Sequence, residues 1–228
     1  MTARRLAMLL ALALAPGLAR AGDCGLPPLR PVDAPGLAQR TAQAQAVLTR
    51  GGYSVLAIGD SIVRRWPARL LAQALGAEAA NAAVGGDGIA DVLARLSAAG
   101  PIPGAGAVRV VFLMAGSNDL ARGASACEVE AATREAVVRL RRIFPGAQVV
   151  VAGILPRQGP PRLMTEIDEA NARLAAAAGP AGYRFAPLGR QIRAECPDLG
   201  ECPLFDRRDG KHPTRDGYVD ISAELRGR

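Results

Sequence analysis

Tyr53-Ser54-Val55-Leu56-Ala57-Ile58-Gly59-Asp60-Ser61-Ile62-Val63 is a compact apolar run that stops at a glycine and turns polar. Gly51-Gly52 precede it, so the stretch reads as a buried strand, Tyr53 to Ile58, ending in a tight turn. Asp60 and Ser61 stand where this strand hands over to a helix predicted over Arg64 to Leu75. In an open parallel sheet, sites are built at the carboxyl ends of strands. A hydroxyl on a strand-to-helix turn is held outward, and N–H groups at the helix start favour a developing anion. Gly-Asp-Ser alone is also an ordinary turn with N-capping residues, so a nucleophilic Ser61 has to be argued from the rest of the chain.

Working outward, Gly25 to Pro35 is a Pro-rich, irregular lead-in, and Leu37 to Thr49 is a helix with Leu37, Ala44, Val47 and Leu48 on one face. Leu70, Leu71 and Leu75 form an apolar stripe that Gly76 ends. Ala77 to Val84 is a weak strand leading into Gly85-Gly86-Asp87-Gly88, and a helix with Ile89, Val92, Leu93 and Leu96 stops before Gly100-Pro101. Val108 to Met114 is the clearest strand, and it ends at Ala115-Gly116-Ser117-Asn118-Asp119. Ser125 and Glu128 make a capping box for a helix through Val137, Leu140 and Ile143. Gln148 to Ala152 is a strand, Leu155 to Pro161 a loop, Ile167 to Ala178 a helix, Tyr183 to Ala186 a last strand and Tyr218 to Leu225 a closing helix. Strand and helix alternate, and the strands are too continuously apolar for a sheet wetted on one face. The pattern is that of an α/β fold, a three-layer α/β/α sandwich on a mostly parallel sheet, without internal repeat or linker.

Arg4-Arg5, the apolar run Leu6 to Ala15, Pro16-Gly17 and Ala19-Arg20-Ala21 read as a secretory signal peptide over residues 1–21, cleaved after Ala21. The run is shorter than the ~20 residues a membrane-spanning helix needs. The expectation is a single domain over residues 22–228, secreted or periplasmic, with no stable membrane insertion. Asp23 before Cys24 is a poor match to a lipobox, and Arg4-Arg5 lacks the rest of a twin-arginine signal. The formal charge of +7 falls to +4 once Arg4, Arg5 and Arg20 leave, with 25 basic residues against 21 acidic. The arginines are scattered and no aromatic residues interleave with them, which suits solubility and not nucleic-acid recognition.

Four cysteines in an exported chain favour disulfides. Cys196 and Cys202 lie six apart in a loop with proline and glycine and suit a small ring, leaving Cys24 with Cys127; the other two pairings stay open. With one histidine and no C-x-x-C, no metal site is expected, and no cofactor.

The one histidine, His212, lies in Asp209-Gly210-Lys211-His212-Pro213-Thr214. It stands three positions after Asp209, which can orient the imidazole while the other ring nitrogen faces Ser61. Each polar residue also has a plainer role: Asn118 in an Asx turn, Gly86 as a turn glycine, Asp209 as a cap. Asp60 and Asp119 are read as turn-bracing, and Lys211, the only lysine, is given no role.

These blocks, in this order from about Tyr53 to Tyr218, resemble the SGNH (GDSL-type) hydrolase superfamily. The resemblance implies a flavodoxin-like central sheet with Ser61 as nucleophile and Asp209 and His212 completing a catalytic triad. It also implies an oxyanion hole of the Ser61 N–H, the Gly86 N–H and the Asn118 side-chain amide. Gly153-Ile154-Leu155-Pro156-Arg157 and Ile167 to Leu174 are similar to the acetylhydrolase/acetylesterase-like branch, although the second is also simply an amphipathic helix. The implied activity is that of a cofactor-free serine esterase working through an acyl-enzyme on a small-molecule or polysaccharide ester. Few aromatics and no long apolar insertion point to short acyl groups, O-acetyl on a carbohydrate first. A lysophospholipase or thioesterase is the alternative within hydrolases, and a glycan O-acetyltransferase with the same triad the one beyond them. A non-catalytic glycan-binding module fits least, since every catalytic position is filled. An α/β-hydrolase is disfavoured because Val63 stands where Gly-x-Ser-x-Gly requires glycine. The sequence does not specify an oligomeric state.

Overall fold

The computed structural model describes residues 24–26 and 37–227; the expected signal peptide, its cleavage point and most of the Pro-rich lead-in lie outside them. Five strands, β1 (Val55–Gly59), β2 (Ala80–Asn81), β3 (Val110–Met114), β4 (Gln148–Ala152) and β5 (Arg184–Ala186), pair in the order β2-β1-β3-β4-β5. Every pair is parallel, and the order is the flavodoxin-like one. The helices among the described residues are α1 (Leu37–Arg50), α2 (Ser61–Arg65), α3 (Ala68–Leu75), α4 (Ile89–Ser97), α5 (Ser117–Ala121), α6 (Ala126–Ile143), α7 (Pro161–Ala181), α8 (Arg190–Glu195) and α9 (Arg215–Arg226).

An all-parallel sheet needs both faces covered, and the alternation along its strands divides the core accordingly. Leu56, Ile58, Val111, Leu113, Val149 and Val151 face α4 and α6, packing with Leu96, Leu140 and Phe144. Ala57, Phe112, Met114 and Val150 face the opposite layer, where Val63, Trp66, Leu71, Ile192, Ile221 and Leu225 meet them from α2, α3, α8 and α9. A smaller cluster, with Leu120, Val129, Ile154 and Ile167, seals the ends of β3 and β4. No described helix is long and apolar enough to cross a membrane.

The element boundaries differ from expectation where local chemistry intervenes. The helix predicted over Arg64 to Leu75 is two helices. Trp66, at φ −61° and ψ 123°, is extended because a proline follows it, and α3 restarts after Pro67. Helix α7 begins at Pro161 instead of Ile167, since proline is well tolerated at a first helical position. Helices α5 and α8 lie in stretches read as irregular, and β2 is only two residues long. Helix α9 starts at Arg215 because the Thr214 hydroxyl accepts a hydrogen bond from Gly217 N–H at 3.3 Å.

Both disulfides favoured by the spacing are present, Cys24–Cys127 and Cys196–Cys202. The first ties the start of the described chain to α6; the second closes a ring just after α8. Alkylation under non-reducing conditions is expected to modify no cysteine. By loop entropy, replacing Cys24 and Cys127 by serine should cost about 4–5 kcal/mol and replacing Cys196 and Cys202 about 2 kcal/mol, read by urea denaturation. The order follows from sequence separations of 103 and 6 residues; equal losses would contradict it.

Candidate active site

Strand β1 is buried along its whole length, and its register continues past Gly59, where Asp60 N–H donates to the Met114 carbonyl at 3.3 Å. Asp60 then caps α2, its Oδ1 accepting from Ile62 N–H at 2.8 Å. Burial raises the Asp60 pKa to about 6, against the Ile62 hydrogen bond and with the help of the Asp119 charge. The turn therefore closes on Asp60 and leaves Ser61 as the first helical residue.

The Ser61 hydroxyl lies 2.7 Å from His212 Nε2, and His212 Nδ1 lies 2.5 Å from Asp209 Oδ2. The loop carrying the pair is wound tightly around Asp209. Its Oδ1 accepts from the backbone N–H groups of Lys211 and His212, each at 3.1 Å. Asp206 N–H donates to the His212 carbonyl, and Gly210 N–H to the Asp206 carbonyl, both at 2.8 Å. Burial is the largest single influence on Asp209 and acts upward, yet the hydrogen bonds from His212 and Lys211 together hold its pKa at about 2. Burial lowers the His212 pKa below the usual imidazole value, with the Asp209 hydrogen bond opposing. A neutral imidazole facing a carboxylate keeps its proton on Nδ1, so Nε2 is free to accept the Ser61 proton.

Two long-range hydrogen bonds hold the serine-bearing helix against the element that follows the histidine. Tyr218 O–H donates to the Ile62 carbonyl at 2.8 Å, and Trp66 Nε1–H to the Ser222 hydroxyl at 2.9 Å. Both bonds are buried and join residues 156 positions apart. Trp66 also packs at a 45° tilt against Tyr218 and edge-on against Phe112, with centroids 5.6 and 5.8 Å apart. Sequence reading missed Tyr218, Trp66 and Ser222 as site residues, because nothing local marks an aromatic residue as the brace of a distant helix.

Gly86 and Asn118 emerge from the strands flanking β1. Ala82 and Val84 N–H donate to the carbonyls of Ala57 and Gly59, which carries the segment after β2 up to Gly86 beside the Ser61 turn. Asn118 is the second residue of α5, directly after β3. Its Nδ2 donates to the Asp87 carbonyl at 2.8 Å, leaving a second N–H. Among the described residues the backbone N–H groups of Ser61 and Gly86 have no partner. Gly86 has φ +91° with open space where a side chain would project, so a ligand can approach its backbone.

Side chains from four positions clamp this segment. Arg122 Nη2 donates to the Gly86 carbonyl at 2.5 Å, and Arg95 pairs with the buried Asp87 carboxylate. Gly88 N–H donates to Asp91 at 2.7 Å and Ile89 N–H to Asp119 at 2.9 Å. Asp119, expected to brace its own turn, thus also braces one 30 residues upstream, and its carboxylate fills the place of a residue-88 side chain. Arg157, within the Gly153 to Arg157 segment, reaches Ser117 Oγ at 3.2 Å, and its charge is felt by Asp60. Asn171 fixes that segment, accepting from Ile154 N–H at 2.8 Å and donating to the Ile154 carbonyl at 2.9 Å. Among the described residues no cluster of His, Cys, Asp and Glu is placed to hold a metal ion.

The family model described as GDSL-like Lipase/Acylhydrolase family matches residues 48–219. A candidate platelet activating factor from Streptococcus pneumoniae superposes with TM-score 0.67 at 21% identity, covering 84% of this chain and 91% of its own. An acetylxylan esterase from Geobacillus stearothermophilus superposes with TM-score 0.61 at 17% identity, covering 78% and 94%. A lipolytic G-D-S-L family protein from Veillonella parvula gives 0.57 at 20% identity, covering 75% and 94%. Identities this low speak for the fold and not for the substrate. No curated protein sequence matches significantly.

Tyr218→Phe should leave the Ile62 carbonyl without its buried donor and lower stability by about 1–3 kcal/mol. It should also slow fluorophosphonate labelling of Ser61 in protein that remains folded by circular dichroism. Labelling at the wild-type rate would remove the link between this brace and the serine.

Proposed function

Because the chain belongs to the GDSL-like lipase/acylhydrolase family and is therefore an ester-hydrolysing enzyme, we propose that Ser61, His212 and Asp209 are its catalytic triad, acting on short acyl esters. The observation that carries this reading is the unbroken relay of 2.7 and 2.5 Å from the Ser61 hydroxyl through His212 to Asp209. His212 Nε2 takes the proton as Ser61 Oγ attacks the ester carbonyl, and Asp209 stays ionised and stabilises the imidazolium. The Ser61 N–H, the Gly86 N–H and the free N–H of Asn118 stabilise the oxyanion. The imidazolium then protonates the departing alkoxide, leaving an acyl-enzyme. Water, deprotonated by His212, releases the acid and restores Ser61.

The preferred substrate in this reading is an O-acetyl group on a carbohydrate. It is supported by the lack of a long apolar insertion for an acyl chain. Export through a signal peptide over residues 1–21, with one domain over 22–228, belongs to the same reading; two disulfides agree with an oxidising compartment.

The test is acetate release from acetylated oligosaccharides beside esters of longer acyl chains, together with fluorophosphonate labelling. Ser61→Ala should abolish labelling, and Ser61→Ala and His212→Ala should each cost roughly 10⁴-fold or more in kcat. Asn118→Ala should cost roughly 10²–10³-fold. A fully active His212→Ala enzyme would refute the triad. Faster turnover of long acyl chains would refute the substrate.

The pH dependence has a definite sign. The base works only as the neutral imidazole, so kcat/KM rises with pH through the His212 pKa. Burial places that midpoint below the ordinary value of 6.5. A midpoint above 6.5 in the pH profile would contradict the described environment.

A further inference from the structure

His212 has a second neighbourhood besides Ser61. A cleft of about 430 Å³ opens against it, walled by Phe205, Pro213 and Thr214 and rimmed by Arg65, Arg207 and Arg208. That volume lies within the range of about 300–1,000 Å³ typical of small-molecule sites.

The charges around the cleft do not balance. Arg208 is matched by Asp206, which accepts from its Nε at 3.0 Å and its Nη2 at 2.8 Å. Arg65 and Arg207 form no ion pair with any described residue. Asp209, the other carboxylate nearby, is committed to His212. Arg65 is the last residue of α2, one turn beyond Ser61, and its charge is felt at the imidazole. With the imidazole neutral, three guanidinium groups face two carboxylates, Asp206 and Asp209, around a cleft that His212 helps to line, and the balance there is positive.

The chemistry says which half of a substrate meets this cleft. The departing alkoxide takes its proton from His212 Nε2, so the alcohol half of the ester must lie beside the imidazole. Ser61, Gly86 and Asn118, the donors proposed for the carbonyl oxygen, are not among the residues that line this cleft. A guanidinium presents paired donors that match a carboxylate, and in a cleft its field is less dispersed than on an open surface.

We propose that this cleft receives the alcohol half of the substrate and selects an anionic one, a sugar acid whose carboxylate lies close to the acetylated hydroxyl. The proposal rests on the reading of the enzyme as a carbohydrate O-acetyl esterase.

The test compares acetate release from an O-acetylated oligogalacturonate with release from the same oligomer after methyl esterification of its carboxylates. Esterification keeps the acetyl groups and the chain, removes the charge and adds one methyl group per carboxylate, whose steric effect is common to the wild type and the double variant. The expected ratio of kcat/KM is about tenfold in favour of the anionic form at low salt, shrinking as ionic strength rises. Arg65→Gln with Arg207→Gln should bring the ratio close to one. The ratio is taken within each enzyme, so a general loss of activity in the double variant cancels. Equal rates on the two oligomers, or a ratio unchanged in the double variant, would overturn the charge-selective cleft and leave acetyl-ester hydrolysis standing. Release from neither oligomer, by an enzyme that cleaves 4-nitrophenyl acetate, would overturn the carbohydrate reading and the proposal with it.

Discussion

Parallel pairing of β1 with β2 on one side and β3 on the other is the constraint from which the site follows. Parallel strands all end at one edge of the sheet, so the turns after β1, β2 and β3 cannot avoid each other. Gly59 pairs with Met114, and Ala57 with Asn81. Ser61, Gly86 and Asn118 are each displaced only a few residues from that register. Their meeting requires no special long-range design, only three polar turns on adjacent strands. What pairing does not fix is the histidine loop, which arrives from outside the sheet and has to be tied to it.

Holding the turns at the strand ends carries a cost that is visible in the electrostatics. Asp60 is buried next to Ser61, where burial favours its protonated form. Asp119 is likewise raised by burial while serving as an acceptor for Ile89 N–H. Arg95 is lowered to about 10 by its own burial against Asp87. Buried charges of this kind contribute little net stability compared with apolar packing, and they are retained where geometry has to be held. Their concentration around the segment from Gly86 to Ile89 marks the place where the backbone must not move.

Much of this was legible in the sequence because the signals were local. The run Tyr53 to Ile58, the run Val108 to Met114 and the capping box at Ser125 each announce their element within a few residues, and the structure has strands over Val55–Gly59 and Val110–Met114 and a helix capped by Ser125. The break at Trp66-Pro67 was equally local, but the apolar stripe of Leu70, Leu71 and Leu75 hid it. The residues read as site candidates were those with distinctive chemistry at strand ends. Tyr218, Trp66 and Ser222 were not legible, because a phenol or an indole gives no sign of which carbonyl or hydroxyl it will reach across the fold. Arg122 was hidden for a different reason: its partner is a backbone oxygen, which every residue has.

The span of the Ser61–His212 pair, 151 residues, has a consequence in time. Ser61, the proposed nucleophile, is made with the first strand of the sheet, while its proposed base waits for a loop that follows the last. Contacts of such separation form late, after the intervening strands have paired and their loop-closure entropy has been met. A partly made or partly folded chain therefore has its nucleophile in place and no means of activating it. In the proposed mechanism, reactivity would therefore report completion, since the Ser61–His212 contact exists only once the loop carrying His212 is in place.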